Sequence, residues 1–188
     1  QVGRILDALR ESGRERDTIV VFASDHGLAI GSHGLFGKQN LYEHSMRAPV
    51  ILAGPGIPPG RRVDAFAYLF DLFPTLGELA GVAGPEGSEG LSLVPVLRGE
   101  ASRRTDIFTA YRHLQRAVRD DRWKLIAYPK IGKVQLFDLR DDPDERRDLS
   151  ADPAHAAEVT RLTALLRERQ AQAGDVPTPR AGRPAVAR

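Results

Sequence analysis

The chain contains no cysteine among its 188 residues, which excludes a disulfide framework and a thiolate metal site. It has no apolar run long enough to span a bilayer, and no N-terminal leader pattern is visible. Neither sign of charge dominates: 27 basic residues face 25 acidic ones, for a net +2. The many arginines are offset by acids and form no dense cationic patch, so nucleic-acid binding is not indicated. There is no internal repeat and no methionine ahead of Gln1. The first residues enter helical periodicity at once, so the chain reads as a piece of something longer and its compartment stays open. What is present is 41% hydrophobic residues, enough for one domain with a real core.

Chemistry-bearing residues concentrate between Thr18 and Gly56. Thr18-Ile19-Val20-Val21-Phe22-Ala23 is a near-continuous apolar run, the pattern of a strand buried on both faces in a parallel sheet covered by helices. It stops at Ser24-Asp25-His26-Gly27, and ligands of open α/β sheets gather at such carboxyl ends of strands. A Gly-rich loop follows to Gly37-Lys38, and Pro49 to Ala53 predicts a second strand closed by Gly54-Pro55-Gly56. Ahead of this stretch, Val2, Ile5, Leu6 and Leu9 share one face of a helix over Val2–Ser12 that Gly13 ends. Beyond it, Asp71 is the expected N-cap of a helix running to Gly81, with Leu72, Leu76 and Leu79 inward. Four alternating runs, Ile107–Tyr111, Gln115–Arg119, Trp123–Tyr128 and Val134–Leu139, predict antiparallel strands, with Asp120-Asp121 turning the second into the third. Ala154–Gln170 has the spacing of an amphipathic helix, and the tail from Gly174 has the Pro, Gly and Arg content of a disordered segment.

The ordered set Ser24-Asp25-His26-Gly27, Gly31-x-His33-Gly34, Gly37-Lys38, Leu41-Tyr42-Glu43, Arg47-x-Pro49 and Gly54-Pro55-Gly56 closely resembles the type I sulfatases of the alkaline phosphatase superfamily. Further along, Asp71–Leu76, the Gly90–Gly99 segment and Leu136-Phe137-Asp138-Leu139 through Asp142-Pro143-x-Glu145 to Leu149 are similar to the same family. The resemblance runs to about Gln170 and matches only the C-terminal part of a sulfatase. It implies an α/β fold: a mostly parallel sheet with flanking helices over residues 1–100, then a small antiparallel sheet with a C-terminal helix over 101–173, then the tail 174–188.

Taken by themselves, Asp25 capping a turn and His26 in an ordinary hydrogen bond are the bland alternatives. The resemblance implies instead that both ligate Ca²⁺, completing a site begun by upstream aspartates, in keeping with the oxygen preference of a hard cation. Lys38 is expected to meet the sulfate or leaving-group oxygen as a compact positive charge, and is the candidate catalytic residue. His33 is a candidate substrate contact, with packing against Gly34 the alternative. Tyr42, Glu43 and Arg47 are expected to brace the loop through a Glu–Arg pair. His113, Gln115 and Arg116 read as polar strand surface, and Lys124 as a snorkelling lysine beside Trp123.

Two departures from the family stand out. The usual G-E-x-x-G-E-H-G is Gly27-Leu28-Ala29-Ile30-Gly31-Ser32-His33-Gly34 here, without either glutamate. The formylglycine nucleophile, made from Cys or Ser in C/S-x-P-x-R, has no precursor in this chain, nor is there an Asp-Asp pair ahead of Asp25. The expectation is therefore a C-terminal sulfatase portion, acting on a small-molecule or carbohydrate sulfate ester with the rest of the sulfatase domain and inactive alone. The alternatives are a phosphodiesterase or phosphonate monoester hydrolase of the same superfamily, or a non-catalytic remnant.

Overall fold

The computed structural model describes residues 1–84 and 87–175. Residues 176–188, the greater part of the expected tail, lie outside them. The order is α1 (Val2–Glu11), β1 (Val20–Ala23), α2 (Glu43–Met46), β2 (Val50–Ala53), α3 (Leu72–Ala80), α4 (Val94–Arg98), β3 (Ile107–Tyr111), β4 (Gln115–Arg119), β5 (Trp123–Tyr128), β6 (Lys133–Asp138) and α5 (Ala156–Gln172). Short 3₁₀ turns punctuate the connections. The α/β class, the small antiparallel sheet and the C-terminal helix are as expected. No helix among the described residues is long and apolar enough to cross a membrane.

The small sheet has order β3-β4-β5-β6, every pair antiparallel, so consecutive strands are neighbours. Alternation divides its side chains between two faces. Val118, Trp123, Leu125 and Leu136 point toward α5 and form a core with its Leu162 and Leu166, which are 0% and 4% exposed. Ala117, Ile126 and Phe137 point the other way and pack on Leu41 and Tyr42. Both faces are thus covered, one by the final helix and the other by the chain leading into α2. Arg169 clamps α5 to the start of β3 through two bonds of 2.7 Å to Asp106, a bidentate geometry. The hairpin at Asp120 forms as expected, its carboxylate accepting from the backbone N–H of Arg122 and Trp123 at 3.0 and 2.6 Å.

The first hundred residues are packed differently. β1 and β2 pair with each other, antiparallel, in the register Val20↔Ala53 and Phe22↔Ile51. Among the described residues β1 has this one antiparallel neighbour and no parallel one, and Phe22 and Ile51 are left 47% and 60% exposed. The apolar content is that of a covered strand, but each strand here has only the other to pair with. The apolar face of α1 is likewise bare, with Ile5 69% exposed. Gly54 holds the two strands' ends together: at φ 130°, a side chain there would meet the Thr18 carbonyl at 2.5 Å.

Asp71 occupies the N-cap position of α3 as expected, but its side chain makes no cap bond to that helix and is spent elsewhere. It is fully buried, accepts from the N–H groups of Tyr68 and Leu91 at 2.8 Å each, and takes a bidentate pair from Arg104. One carboxylate thereby ties α3, the loop before α4 and the segment leading to β3 into one unit. Its four acceptor contacts answer the desolvation that full burial imposes.

Candidate functional site

The site begins where β1 runs out. Ser24 donates its hydroxyl to the His26 carbonyl at 2.7 Å and its N–H to Pro49 O at 3.2 Å, so the turn is anchored to the approach to β2. Gly27 then passes directly under α2. Its N–H donates to Ser45 O at 2.9 Å, and a Cβ at this position would sit 2.0 Å from the His44 carbonyl oxygen. Only glycine permits that approach, and it fixes the turn Asp25-His26 against the α2 backbone.

His26 bonds its Nδ1 to Gly27 O at 2.8 Å. A carbonyl only accepts, so Nδ1 carries the proton, and in the neutral ring Nε2 turns its lone pair outward. That lone pair meets Asp25 Oδ2 at 3.2 Å and the ammonium of Lys38. Lys38 returns to the turn because Ala29 N–H donates to Gly37 O at 3.1 Å, which folds the Gly-rich loop back on itself. An imidazole lone pair facing a carboxylate oxygen is an acceptor–acceptor contact that a cation reconciles. Lys38 supplies one such charge. The same donor set, a hard carboxylate oxygen and a correctly tautomerised imidazole, fits a divalent metal, and Asp25 is open to receive it at 79% side-chain exposure. Among the described residues no three His, Cys, Asp or Glu side chains converge as a metal site.

His33 does not join that group. It sits at φ 55°, stacks flat on Tyr42 with ring centroids 4.0 Å apart, and donates through Nε2 to the Asp144 carbonyl at 3.0 Å. The structure therefore brings Asp25, His26 and Lys38 together and sets His33 against the turn after β6.

That turn holds a buried charge cluster that local sequence pattern does not announce. Lys124 is not a snorkelling surface lysine: its side chain is 3% exposed, and its Nζ lies 3.0 Å from Glu43 Oε1 and 2.7 Å from Glu145 Oε1. Glu43 pairs with Lys124 and Arg119 rather than with Arg47. Burial pushes the Glu145 carboxyl up, with Lys124 pulling against it. Next to this cluster a cavity of about 760 Å³ is lined by His33, Glu43, His44, Arg47, Glu145 and Arg146, among others. Burial, then His33 and Lys124, hold His44 below the ordinary imidazole value, and its Nε2 has no hydrogen-bond partner among the described residues. One signal of the Lys124 cluster was available: Lys124 shares a strand face with Ile126, an apolar position by alternation.

Comparison with known proteins gives concordant results. The family model for the C-terminal region of N-sulphoglucosamine sulphohydrolase matches residues 31–172. A choline-sulfatase of Rhizobium meliloti is 36% identical over 173 residues, covering 88% of this chain and 33% of the relative. A structure solved in complex with its substrate D-glucosamine-2-N,6-O-disulfate superposes with a TM-score of 0.84 at 29% identity, over 96% of this chain and 40% of that one. A phosphonate monoester hydrolase from Silicibacter pomeroyi superposes with a TM-score of 0.82 at 28% identity, over 91% of this chain and 38% of that one. The chain thus spans about a third of the length of the curated relatives it matches. With the family model matching most of its length and the sulfatase fold reproduced, the chain belongs to the sulfatase family of the alkaline phosphatase-like superfamily, as a C-terminal portion.

Proposed function

We propose that this chain is the C-terminal third of a metal-dependent sulfatase, and that it supplies part of the active site for hydrolysis of a sulfate ester. The observation that carries the proposal is the meeting of Asp25, His26 and Lys38 at the carboxyl end of β1. Asp25 and His26 would hold Ca²⁺, which when bound supplies charge withdrawal from the sulfate oxygens. Lys38, free to swing on its four-carbon stem, neutralises the negative charge that gathers on the ester oxygen as the bond breaks. His33, turned toward Asp144, holds the loop rather than the substrate. The nucleophile, a formylglycine by the family's chemistry, must come from upstream, since this chain has no cysteine and no Ser-x-Pro. On this reading residues 1–100 complete the catalytic α/β domain, 101–173 form the small subdomain behind it, and the bare faces of α1, β1 and β2 receive the upstream part.

A second reading has a specific support: phosphonate monoester hydrolase structures superpose about as well as the sulfatases do. The two are separated by joining the chain to its natural upstream segment and offering an aryl sulfate and an aryl phosphonate ester in turn. Preferred turnover of the sulfate ester is expected. A preference for the phosphonate establishes the second reading, and turnover of either by the 188-residue chain alone contradicts the split site.

A further inference from the structure

We infer that Lys124 and Glu145, two buried charges contributed by the small subdomain, are positioning residues that hold the Asp25–His26 turn through α2. What the turn does rests on the sulfatase reading above; what holds it rests on geometry alone.

The path is continuous and short. Lys124 projects from β5 between Glu43 and Glu145, at 3.0 and 2.7 Å. Glu145 spends its other oxygen on the backbone, accepting the Glu43 N–H at 2.5 Å. Glu43 is the first residue of α2, so two carboxylates and the cation between them pin the helix's N-terminal turn. Arg119 of β4 closes the cluster on Glu43. At four residues, α2 is too short to persist by its own hydrogen bonds and takes its position from these contacts. Its other end of influence is Gly27, whose N–H is bonded to Ser45 O and whose Cα lies against the His44 carbonyl. His26 is the next residue back, and its ring is oriented by the Gly27 carbonyl. Displacement of α2 is therefore displacement of the turn.

Two features separate this from a stabilising ion pair. Lys124 shares its strand face with Ile126 and pairs across the ladder with Phe137, so an aliphatic side chain would suit the packing there. Replacing a whole buried ion-pair cluster by well-packed apolar residues is commonly neutral or stabilising, so stability alone does not call for these charges. Moreover, Glu145 is held at φ 55° and so is His33, whose ring bonds the residue before it, at Asp144. Left-handed backbone at two non-glycine residues facing one another across a junction is conformational cost concentrated where geometry matters.

The test compares Lys124→Met and Glu145→Gln with the parent chain. In the 188-residue chain the carboxylates left without Lys124 lower global stability and speed all core amides together, so the readout is relative: exchange at Gly27 is expected to speed up by about tenfold or more beyond any change in the amides of β4 and β5. In the protein carrying its upstream segment, calorimetry is expected to show Ca²⁺ binding weakened by a similar factor, and kcat is expected to fall more than KM rises. Gly27 exchange that speeds up by no more than about twofold beyond the β4 and β5 amides overturns the inference. Should Lys124→Met fail to fold, the isosteric Glu145→Gln decides on the same criterion. An upstream-joined parent without sulfatase activity would sink the sulfatase reading while the exchange result stood, so the two fail separately.

Discussion

Replacing Gly27 by alanine probes the junction on which the site depends. The added Cβ would lie 2.0 Å from His44 O and 2.9 Å from His44 C, both backbone atoms of α2 that no side-chain rotation can move aside. Reaching even the 3.0 Å floor for such contacts requires a displacement of about 1 Å between the turn and the helix. That displacement strains the 2.9 Å bond from Gly27 N–H to Ser45 O. The overpacking term is about 1–3 kcal/mol and the lost hydrogen bond about 1 kcal/mol, so Gly27→Ala is expected to destabilise by about 2–4 kcal/mol. Urea denaturation of parent and variant measures this directly from the shift in midpoint at constant slope. A difference below about 0.5 kcal/mol, the range of an unremarkable surface change, would show that α2 does not press on the turn and would refute the contact argument.

Other outcomes follow from the same geometry. Asp71→Ala leaves the half-buried Arg104 without its carboxylate and strips two buried-side backbone N–H groups of their acceptor, which should cost about 3 kcal/mol or more in the same denaturation assay. Leu162→Ala, at a fully buried position under the small sheet, should cost about 2–5 kcal/mol, and a smaller loss would mean that α5 is not seated on that core. The bond from Arg169, the main cause, holds the Asp106 carboxyl below its ordinary value. Its contribution to stability is therefore present above the unfolded value near about 4 and lost as pH falls through the lowered folded one. Asp106→Asn should flatten the acid limb of a stability–pH curve, and an unchanged limb would contradict it. Proton NMR should find His44 titrating below about 6.5, since burial and then the neighbouring His33 and Lys124 disfavour the imidazolium; a midpoint at or above that value would place the ring in solvent.

Periodicity carried most of the fold. The four strands of the small sheet and α5 were legible to within two residues because each has one apolar side and a clear turn chemistry at its ends, as at Asp120. The candidate site was legible for a related reason: ionisable residues interrupt an apolar run at Ser24–Gly27, and a Gly-rich loop returns Lys38 to them. What escaped was set by partners distant in sequence. Lys124 reads as a surface lysine until Glu43 and Glu145, 81 and 21 positions away, are seen to share its burial. Asp71 reads as a helix cap because the sequence does not announce Arg104 as its counter-ion. The antiparallel pairing of β1 and β2, with their bare apolar faces, follows from which strands are neighbours. Local pattern is silent on that, since a covered strand has the same composition whichever way its neighbour runs.

The most direct measurement is a Ca²⁺ titration of sulfate ester hydrolysis after chelation, using the chain joined to its upstream segment, with Asp25→Ala and Lys38→Ala alongside. The split-site proposal predicts activity that chelator abolishes and Ca²⁺ restores, a much weakened Ca²⁺ requirement curve for Asp25→Ala, and a fall in kcat of about 10²–10³ for Lys38→Ala. Hydrolysis indifferent to chelator, or undiminished in both variants, would show that the Asp25–His26–Lys38 cluster is not part of the catalytic centre.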